Sequence, residues 1–567
     1  MNRTRSVLEA ASETAVKCRK SVADRIVDLI AEHSDHVFGV GGANIEDLYD
    51  ALHRSTASIT GIVAKHEFGA ATMADGYART TNRLGVVAAT SGGGALNLIA
   101  ALGESFDSRV PVLALVGQPP LALEGRGAFQ DTSGGAGRID AERLFGSVAR
   151  FCVKLTRAED VTAAVEQAIS AAMAGGPAVL LLPKDIQTQP VPDMGTAARD
   201  GLLFGQGFVR DEPDAHDEAL ALVAACIGRT VMIAGPEVAR ADARAELLIM
   251  ARALRAAVAV TPDAKDAFPN DDPLFVGIAG SMGHPRLAEL IGDAALCVLA
   301  GTPMPVMARA GLEAALANCP RVLHVGTDPA FVRTDAWLRG PLRALLVEVA
   351  SAATPSGPEY APIPSPALSV PAASGPGVRY RDAIEAINAR LAPGTDVVVD
   401  AGNTGAAAVH HLPVPADSRF VIALGMGGMG YAFGAGIGSA LGRRRRTFVI
   451  AGDGAYFMHG HEVHTAVEHH VPVTFVIFNN NAHAMCVTRE QLYYSGDYTY
   501  NKFGPARIGA AVAAMFPRIP AYSTDTRAEF EAALDETHEA TGPVFIEILC
   551  DPDEIPPFAP FLKELSA

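Results

Sequence analysis

Seven cysteines are scattered along 567 residues without one CxxC pair, which excludes a disulfide framework or a zinc ribbon and argues for a reducing compartment. Positive charge is scarce as well. Lys and Arg number 46 against 63 Asp and Glu, a net charge of −17, so the electrostatic footprint of a nucleic-acid binder is missing. No run of about 18 uncharged apolar residues occurs, and no transmembrane helix is expected. The N-terminal stretch has no apolar core of the kind a secretory signal needs, and it carries Glu9 and Glu13, which a transit peptide would avoid. The expectation is a cytoplasmic protein, without nucleic-acid or membrane partners, whose frayed start leads into a first helix near Ser21. With 49% apolar and 19% charged residues the chain is not disordered, and its length allows several domains, each with a core of its own.

What the sequence has in quantity is turn residues, 55 Gly and 37 Pro. Residues 351–380 hold seven prolines; Pro has no N–H to donate, so this stretch reads as an extended linker rather than a helix or a ladder strand. A weaker boundary lies between Gln187 and Phe208, where apolar periodicity lapses after LLLPKDIQ. The domains expected are 20–188, 205–350 and 378–552, with a Pro-rich linker over 351–377. Each alternates short apolar runs (VVAAT, VLALVG, TVMIAG, LCVLAG, TFVIAG, VTFVIF) with amphipathic segments such as EDVTAAVEQAISAAMAG. Apolar runs bounded by glycine and followed by helices mark parallel sheets covered on both faces. The fold class expected is α/β, three doubly wound parallel-sheet domains in series, with ligands at the carboxyl ends of the strands.

Two of those ends stand out. The run TFVIAG ends in Gly452-Asp453-Gly454 and VTFVIF in Asn479-Asn480, and 24 residues lie between Gly454 and Asn479. That length holds a helix and a second strand, so both clusters emerge at one sheet edge. A carboxylate, an amide oxygen and backbone carbonyls form a hard oxygen site suited to Mg²⁺, and glycines let backbone N–H groups come close to a phosphate.

Here the sequence resembles the thiamine diphosphate enzymes, whose signature is GDG, an intervening stretch of this length, then NN. The resemblance spans nearly the whole chain and is strongest to the acetolactate synthase branch. VFGVGGANIEDLYDAL at 37–52 is close to that branch's VFGYPGGAIMPLYDAL; His66-Glu67 stands at its His-Glu pair; Gly127-Ala128-Phe129-Gln130 and Pro183-Lys184-Asp185 follow in order; Gly427 to Tyr431 answers its GTMGF. The resemblance implies thiamine diphosphate and Mg²⁺ as cofactors, with the metal held by Asp453, Asn480 and the backbone carbonyl of Ala482. It also implies a pyrimidine-binding first domain, a central domain and a diphosphate-binding third domain. Gly42, Asn403, Thr404, Gly427, Met429, Gly454, Ala455, His483, Ala484 and Met485 would line the cofactor site with Glu67. Glu67 would sit beside the aminopyrimidine N1′ and favour the imino tautomer that takes the proton from the thiazolium C2. Met429 would be the wedge that bends the cofactor, the Gly427 carbonyl would hold its 4′-amino group, and Gln130, Met485 and Arg489 would complete the catalytic set. In this family the first and third domains of one site come from different subunits, so a homodimer is the minimum and a homotetramer is expected.

Other features carry less. His461 and His464 are three apart, whereas a zinc-binding HExxH needs four. Glu462 matches a family glutamate with a structural role, and Arg443 to Arg446 read as a solvated turn. Thr90 and Ala43 replace the His and Ser of arylglyoxylate decarboxylases. The resemblance therefore implies a carboligase that decarboxylates a 2-oxo acid such as pyruvate and passes a two-carbon unit to a carbonyl acceptor; the alternative is a decarboxylase that releases an aldehyde. Three departures from acetolactate synthase stand out: Val40-Gly41 for Tyr-Pro, Arg489 for a tryptophan, and GTPMPVMAR (301–309) for the flavin loop GARFDDR. FAD is expected to be absent or weakly held, and Arg489 to favour an acceptor carrying a carboxylate, phosphate or hydroxyls.

Overall fold

A computed structural model describes residues 20–191, 213–354, 365–498 and 500–566. Most of the expected boundary between Gln187 and Phe208, most of the frayed start and part of the Pro-rich segment lie outside them. Three six-stranded sheets follow one another along the chain, and every strand pair in them is parallel. Helices alternate with the strands, as the fold class read from the sequence requires.

The first domain opens with α1 (Val22–Ala31), started by a reciprocal capping box between Ser21 and Asp24. Its strands are β1 (His36–Gly39), β2 (Thr60–Val63), β3 (Gly85–Ala89), β4 (Val112–Gln118), β5 (Phe151–Lys154) and β6 (Pro177–Pro183), with α2 (Glu67–Thr81) between β2 and β3. They pair in the order β2-β1-β3-β4-β6-β5. The central domain holds β7 (Thr230–Ala234), β8 (Ala257–Val260), β9 (Phe275–Ile278), β10 (Leu296–Ala300), β11 (Val322–Val325) and β12 (Ala336–Leu338), in the order β12-β11-β10-β7-β8-β9. A helix over Leu342–Ala352 then carries the chain two residues into the Pro-rich stretch.

The third domain contains β13 (Asp396–Val399), α3 (Asn403–His411), β14 (Phe420–Ile422), α4 (Tyr431–Arg443), β15 (Thr447–Gly452), α5 (Asp453–His459), β16 (Val473–Asn479), α6 (Ala484–Tyr493), β17 (Ala521–Thr524), β18 (Val544–Leu549) and the terminal α7 (Ala559–Ser566). Its sheet order is β14-β13-β15-β16-β18-β17. The central strands β4, β6 and β16 are buried at every residue. Each large aliphatic side chain so placed contributes about 1.5–3 kcal/mol of hydrophobic burial.

The first and third domains are joined by a crossing of α2 on α4 that is too close for ordinary side chains. A Cβ on Gly438 would lie 1.9 Å from the Met73 carbonyl oxygen, and one on Gly76 would lie 2.2 Å from that of Ala435. The same joint holds a buried polar network. Arg79 bonds Asp75 (2.6 Å) and Glu104 (3.0 Å), the Tyr431 hydroxyl donates to Asp75, and Glu104 accepts the backbone N–H of Met426 at 2.6 Å. Arg79 and the N–H bonds hold the Glu104 carboxyl below its ordinary value against the opposing effect of burial. Each partner in such a network is expensive to remove singly, because the group left behind is desolvated and unpaired.

The four arginines at 443–446 do not form a solvated turn. Arg443 lies 2.9 Å from the buried Asp396, Arg445 bonds Asp417, and Arg446 donates to Thr474 Oγ1 and to the carbonyls of Ala540 and Gly542. Their run closes the base of the third sheet, and Arg444 is its exposed member.

Candidate active site

Strand order reverses between β1 and β3 in the first sheet and between β13 and β15 in the third. A reversal leaves a crevice outside the carboxyl ends of the strands, where the two flanking loops part. The residues singled out by sequence collect at these two crevices.

At the first, Gly42 follows β1 and approaches Thr90, which follows β3; a Cβ on Gly42 would sit 2.6 Å from Thr90 Cβ. Asn44 fixes that loop, its backbone N–H on Thr90 Oγ1 (3.3 Å) and its side-chain amide on Ser91 Oγ (2.7 Å). Gln130, in the left-handed region at φ 58°, places its Oε1 3.5 Å from Ser91 Oγ. Glu67 is the first residue of α2 and is 9% exposed. Its Oε2 accepts from Asn97 Nδ2 at 2.9 Å, and its Oε1 lies 2.9 Å from where Gly94 would carry a Cβ. Glu67, Gln130 and Gly42 therefore belong to one crevice around Thr90 and Ser91. His66 caps α2 through Nδ1, which accepts the Phe68 N–H.

Glu462 has a wider role than sequence suggested. From the third domain it accepts the backbone N–H groups of Lys65 and His66, each at 3.0 Å, and the Thr465 hydroxyl at 2.8 Å. It thus fixes the turn that presents Glu67.

At the second crevice, Asp453 is 1% exposed and Asn480 is 5% exposed. The Ala482 N–H donates to Asp453 Oδ2 (3.1 Å) and to Asn480 Oδ1 (3.0 Å), so the two oxygens converge on one point. Tyr380 orients Asn480 by accepting from its Nδ2 at 3.0 Å. The other half of the Asn pair faces away: Asn479 donates to Glu547 and to the Ala506 carbonyl, and its Oδ1 accepts the Asn481 N–H. Burial pushes the Asp453 carboxyl up to about 7, although nearby backbone N–H groups work against the shift. No ion pair with a basic side chain reaches it among the described residues.

Gly454 and Ala455 continue into α5. A Cβ on Gly454 would lie 2.5 Å from His483 Cδ2 and 3.1 Å from Met429 Cε, which locates His483 and Met429 over this turn. The Gly427–Gly430 loop is held by Asp400, a residue sequence reading passed over: its carboxylate accepts from Gly430 N–H (3.0 Å) and Ala432 N–H (2.9 Å). Burial raises it to about 6. Its place after the run DVVV was the available signal. Asn403 and Thr404 begin α3, both buried, and Asn403 Oδ1 has no partner among the described residues. Ala484 and Met485 start α6, with Met485 half-buried. Arg489, one turn on, is exposed and lays its guanidinium 5.9 Å over the Phe561 ring of α7.

The donor set fits a divalent cation with a diphosphate. A buried, unpaired carboxylate beside an amide oxygen needs positive charge, and the unpartnered Asn403 Oδ1 leaves an acceptor for a ligand donor. The central sheet has the dinucleotide strand order with its reversal between β7 and β10. At that reversal a Cβ on Gly235 would lie 2.3 Å from Thr302 Cβ, and Glu237 Oε2 accepts the Thr327 N–H at 3.1 Å. Beyond it Arg109 of the first domain pairs with Asp328.

No hydrogen bond or ion pair among the described residues links Glu67 to Asp453, Asn480 or Ala482. No helix among them is long and apolar enough to cross a membrane. Residues 20–136 match the thiamine pyrophosphate enzyme N-terminal TPP binding domain, 199–346 the central domain and 400–548 the C-terminal TPP binding domain. The acetolactate synthase isozyme 1 large subunit of Escherichia coli (strain K12) is 25% identical, over 96% of this chain and 97% of its own. The acetolactate synthase of Arthrospira platensis is 26% identical, over 95% and 96%. A solved structure, the thiamine diphosphate-dependent 4-hydroxybenzoylformate decarboxylase of Rhodococcus jostii RHA1, superposes with a TM-score of 0.79 at 20% identity, covering 94% of this chain and 99% of that one; at that identity the likeness is one of fold. With all three domain models in order along one chain, the protein belongs to the thiamine pyrophosphate enzymes, as an acetolactate synthase-like member acting on carbon–carbon bonds.

Proposed function

We propose that the protein is a Mg²⁺-dependent carboligase that decarboxylates a 2-oxo acid, pyruvate first among them, and transfers the two-carbon unit to a carbonyl acceptor. The observation that carries this reading is the pairing of two prepared crevices, one centred on the Glu67 carboxylate and one on Asp453 with Asn480. Asp453, Asn480 and the Ala482 carbonyl hold Mg²⁺, and the Gly454 turn with Asn403 and Thr404 receives the diphosphate. When bound, thiamine diphosphate supplies an acidic ring carbon and takes up the electron pair released on decarboxylation. Glu67 shares a proton with N1′ of the aminopyrimidine, and Asn97 holds that carboxylate in place. Met429, beside the loop that Asp400 fixes, would be the apolar wedge against the cofactor, and the Gly427 carbonyl would accept from its amino group. Gln130 and Met485 face the reacting end and exclude water.

In keeping with the resemblance, the working unit is a homodimer in which Glu67 of one subunit faces Asp453 of the other. Phe129 (78% exposed) and Met426 (60% exposed), next to the two crevices, are surfaces that such an arrangement would cover. The reaction proceeds without FAD, in keeping with GTPMPVMAR at 301–309 in place of the flavin loop; a stoichiometric flavin band in the visible spectrum of the purified protein would contradict this. Arg489, held on Phe561, offers its guanidinium to an acceptor with a carboxylate, phosphate or hydroxyls. Product analysis with pyruvate alone, and with added 2-oxo acids and aldehydes, tests the reading. Carboligated products are expected; release of acetaldehyde in every condition would assign a simple decarboxylase instead.

A further inference from the structure

Lys265 is 2% exposed, yet no carboxylate pairs with it among the described residues. The hydrogen bonds of its ammonium run from the central domain into the third. Its ammonium donates to the carbonyls of Ala408 (3.1 Å), Val409 (2.7 Å) and Leu412, and it lies 4.8 Å from the Phe420 ring centre. Those carbonyls form the last turn of α3 and its exit, the end of a helix that lacks internal donors and carries partial negative charge. Three carbonyls use all three N–H bonds of an ammonium. Burial pulls Lys265 down to about 7, and the helix end works in the opposite direction by favouring the charged form.

Two further contacts secure the same end. Asn270 Oδ1 accepts the Val414 N–H at 2.9 Å, and His410 Nδ1 donates to the Met282 carbonyl at 2.9 Å while its Nε2 accepts from Leu368. Asn403 and Thr404 open this same nine-residue helix, four to nine residues before those carbonyls. A helix of this length is a rigid rod of about 13 Å, so fixing one end fixes the other.

We propose that Lys265 is a positioning residue for the cofactor: from the central domain it clamps the carboxyl end of α3 and so sets where Asn403 and Thr404 meet the diphosphate. This rests on the reading of Asn403 and Thr404 as cofactor contacts. It gives the central domain a part in the site.

The test is calorimetric titration of thiamine diphosphate with Mg²⁺ into the full-length apoprotein, alongside thermal unfolding of each variant. Lys265→Met keeps the length of the side chain and removes the donors; it should weaken cofactor affinity by about tenfold or more, the scale seen when groups that orient ligands are lost. Lys265→Arg, which restores donors, should recover most of it. Asp335→Ala, which breaks the pair with Arg333 and frees the Val322 N–H at the far edge of the central sheet, should lower the unfolding temperature without moving affinity. Should Lys265→Met not fold, Lys265→Gln, with two donors, should give an intermediate loss. A variant that unfolds earlier but binds the cofactor as wild type does would overturn the proposal. Asn403→Ala separates the two layers. If it leaves affinity unchanged, the underlying contact reading fails; if it weakens binding while Lys265→Met does not, the clamp alone fails.

Discussion

The first and third domains have the same strand order, β2-β1-β3-β4-β6-β5 against β14-β13-β15-β16-β18-β17, and put different chemistry into equivalent crevices. In the first, the carboxylate at the crevice, Glu67, begins a fifteen-residue helix and is hydrogen-bonded to a neutral amide. In the third, Asp453 begins a seven-residue helix and shares an N–H with Asn480 Oδ1. One arrangement pairs a carboxylate with an amide donor; the other brings a carboxylate and an amide oxygen to one N–H. The topology supplies the two crevices, and the residues at the strand ends set the chemistry of each. The central sheet makes the contrast sharper. It has a dinucleotide strand order, and Glu237 and Thr302 stand at its reversal where the other two sheets present Glu67 and Asp453.

Substitutions at the paired positions should break the comparison unequally. Glu67→Gln should cost about 10²–10⁴-fold in turnover, the range for loss of a proton-transfer group, with the unfolding temperature little changed; steady-state kinetics on product formation measures it. Asp453→Ala should instead weaken Mg²⁺-dependent cofactor binding by about 100-fold or more, seen by calorimetric titration. If the crevices meet only across subunits, mixing the inactive Glu67→Gln and Asp453→Ala proteins and allowing subunits to exchange should restore activity, because mixed dimers hold one intact site. No recovery after verified exchange would place both crevices in one chain.

The pH dependence should also differ between the crevices. Asp453 is raised from 3.8 to about 7 by burial, so the folded apoprotein binds a proton there that the unfolded chain has lost. Its contribution to stability is complete below about 4 and is lost as pH rises through about 7. Mg²⁺ requires the ionised form, and its affinity should rise over the same interval and level off above it. Asp453→Asn should flatten both trends, as recorded by unfolding and titration between pH 5.5 and 8.5. The smallest effect is expected at the rim. Arg489→Ala removes an exposed cation–π contact with Phe561 worth about 0.5–1 kcal/mol; it should loosen α7, visible as faster amide exchange over 559–563, before it alters cofactor binding.

Much of this was legible in the sequence because the informative residues are close together. Gly452 to Gly454 and Asn479-Asn480 are joined by one helix-and-strand length, and the apolar runs before them mark β15 and β16 directly. What sequence could not supply were contacts closed over long separations. Glu462 and Lys65 are 397 positions apart, and nothing local shows that a buried glutamate in one domain caps the entry to a helix in another. Lys265 looked like one letter of DAKDAFP, since its partners are carbonyls more than a hundred residues on and carbonyls leave no mark in a sequence. The arginines at 443–446 show the reverse error. A run of like charges reads as a solvated face, but here their partners, Asp396, Asp417 and free carbonyls, come from separate strands and loops.

The central claim is that Glu67 activates the cofactor that Asp453 anchors. It is tested most directly by the rate of hydrogen–deuterium exchange at C2 of the bound thiamine diphosphate, followed by NMR after acid quench, in wild type and Glu67→Gln at equal cofactor saturation. The account predicts an exchange rate slower by about 10²–10⁴-fold in the variant, with cofactor affinity retained. An unchanged rate would contradict it.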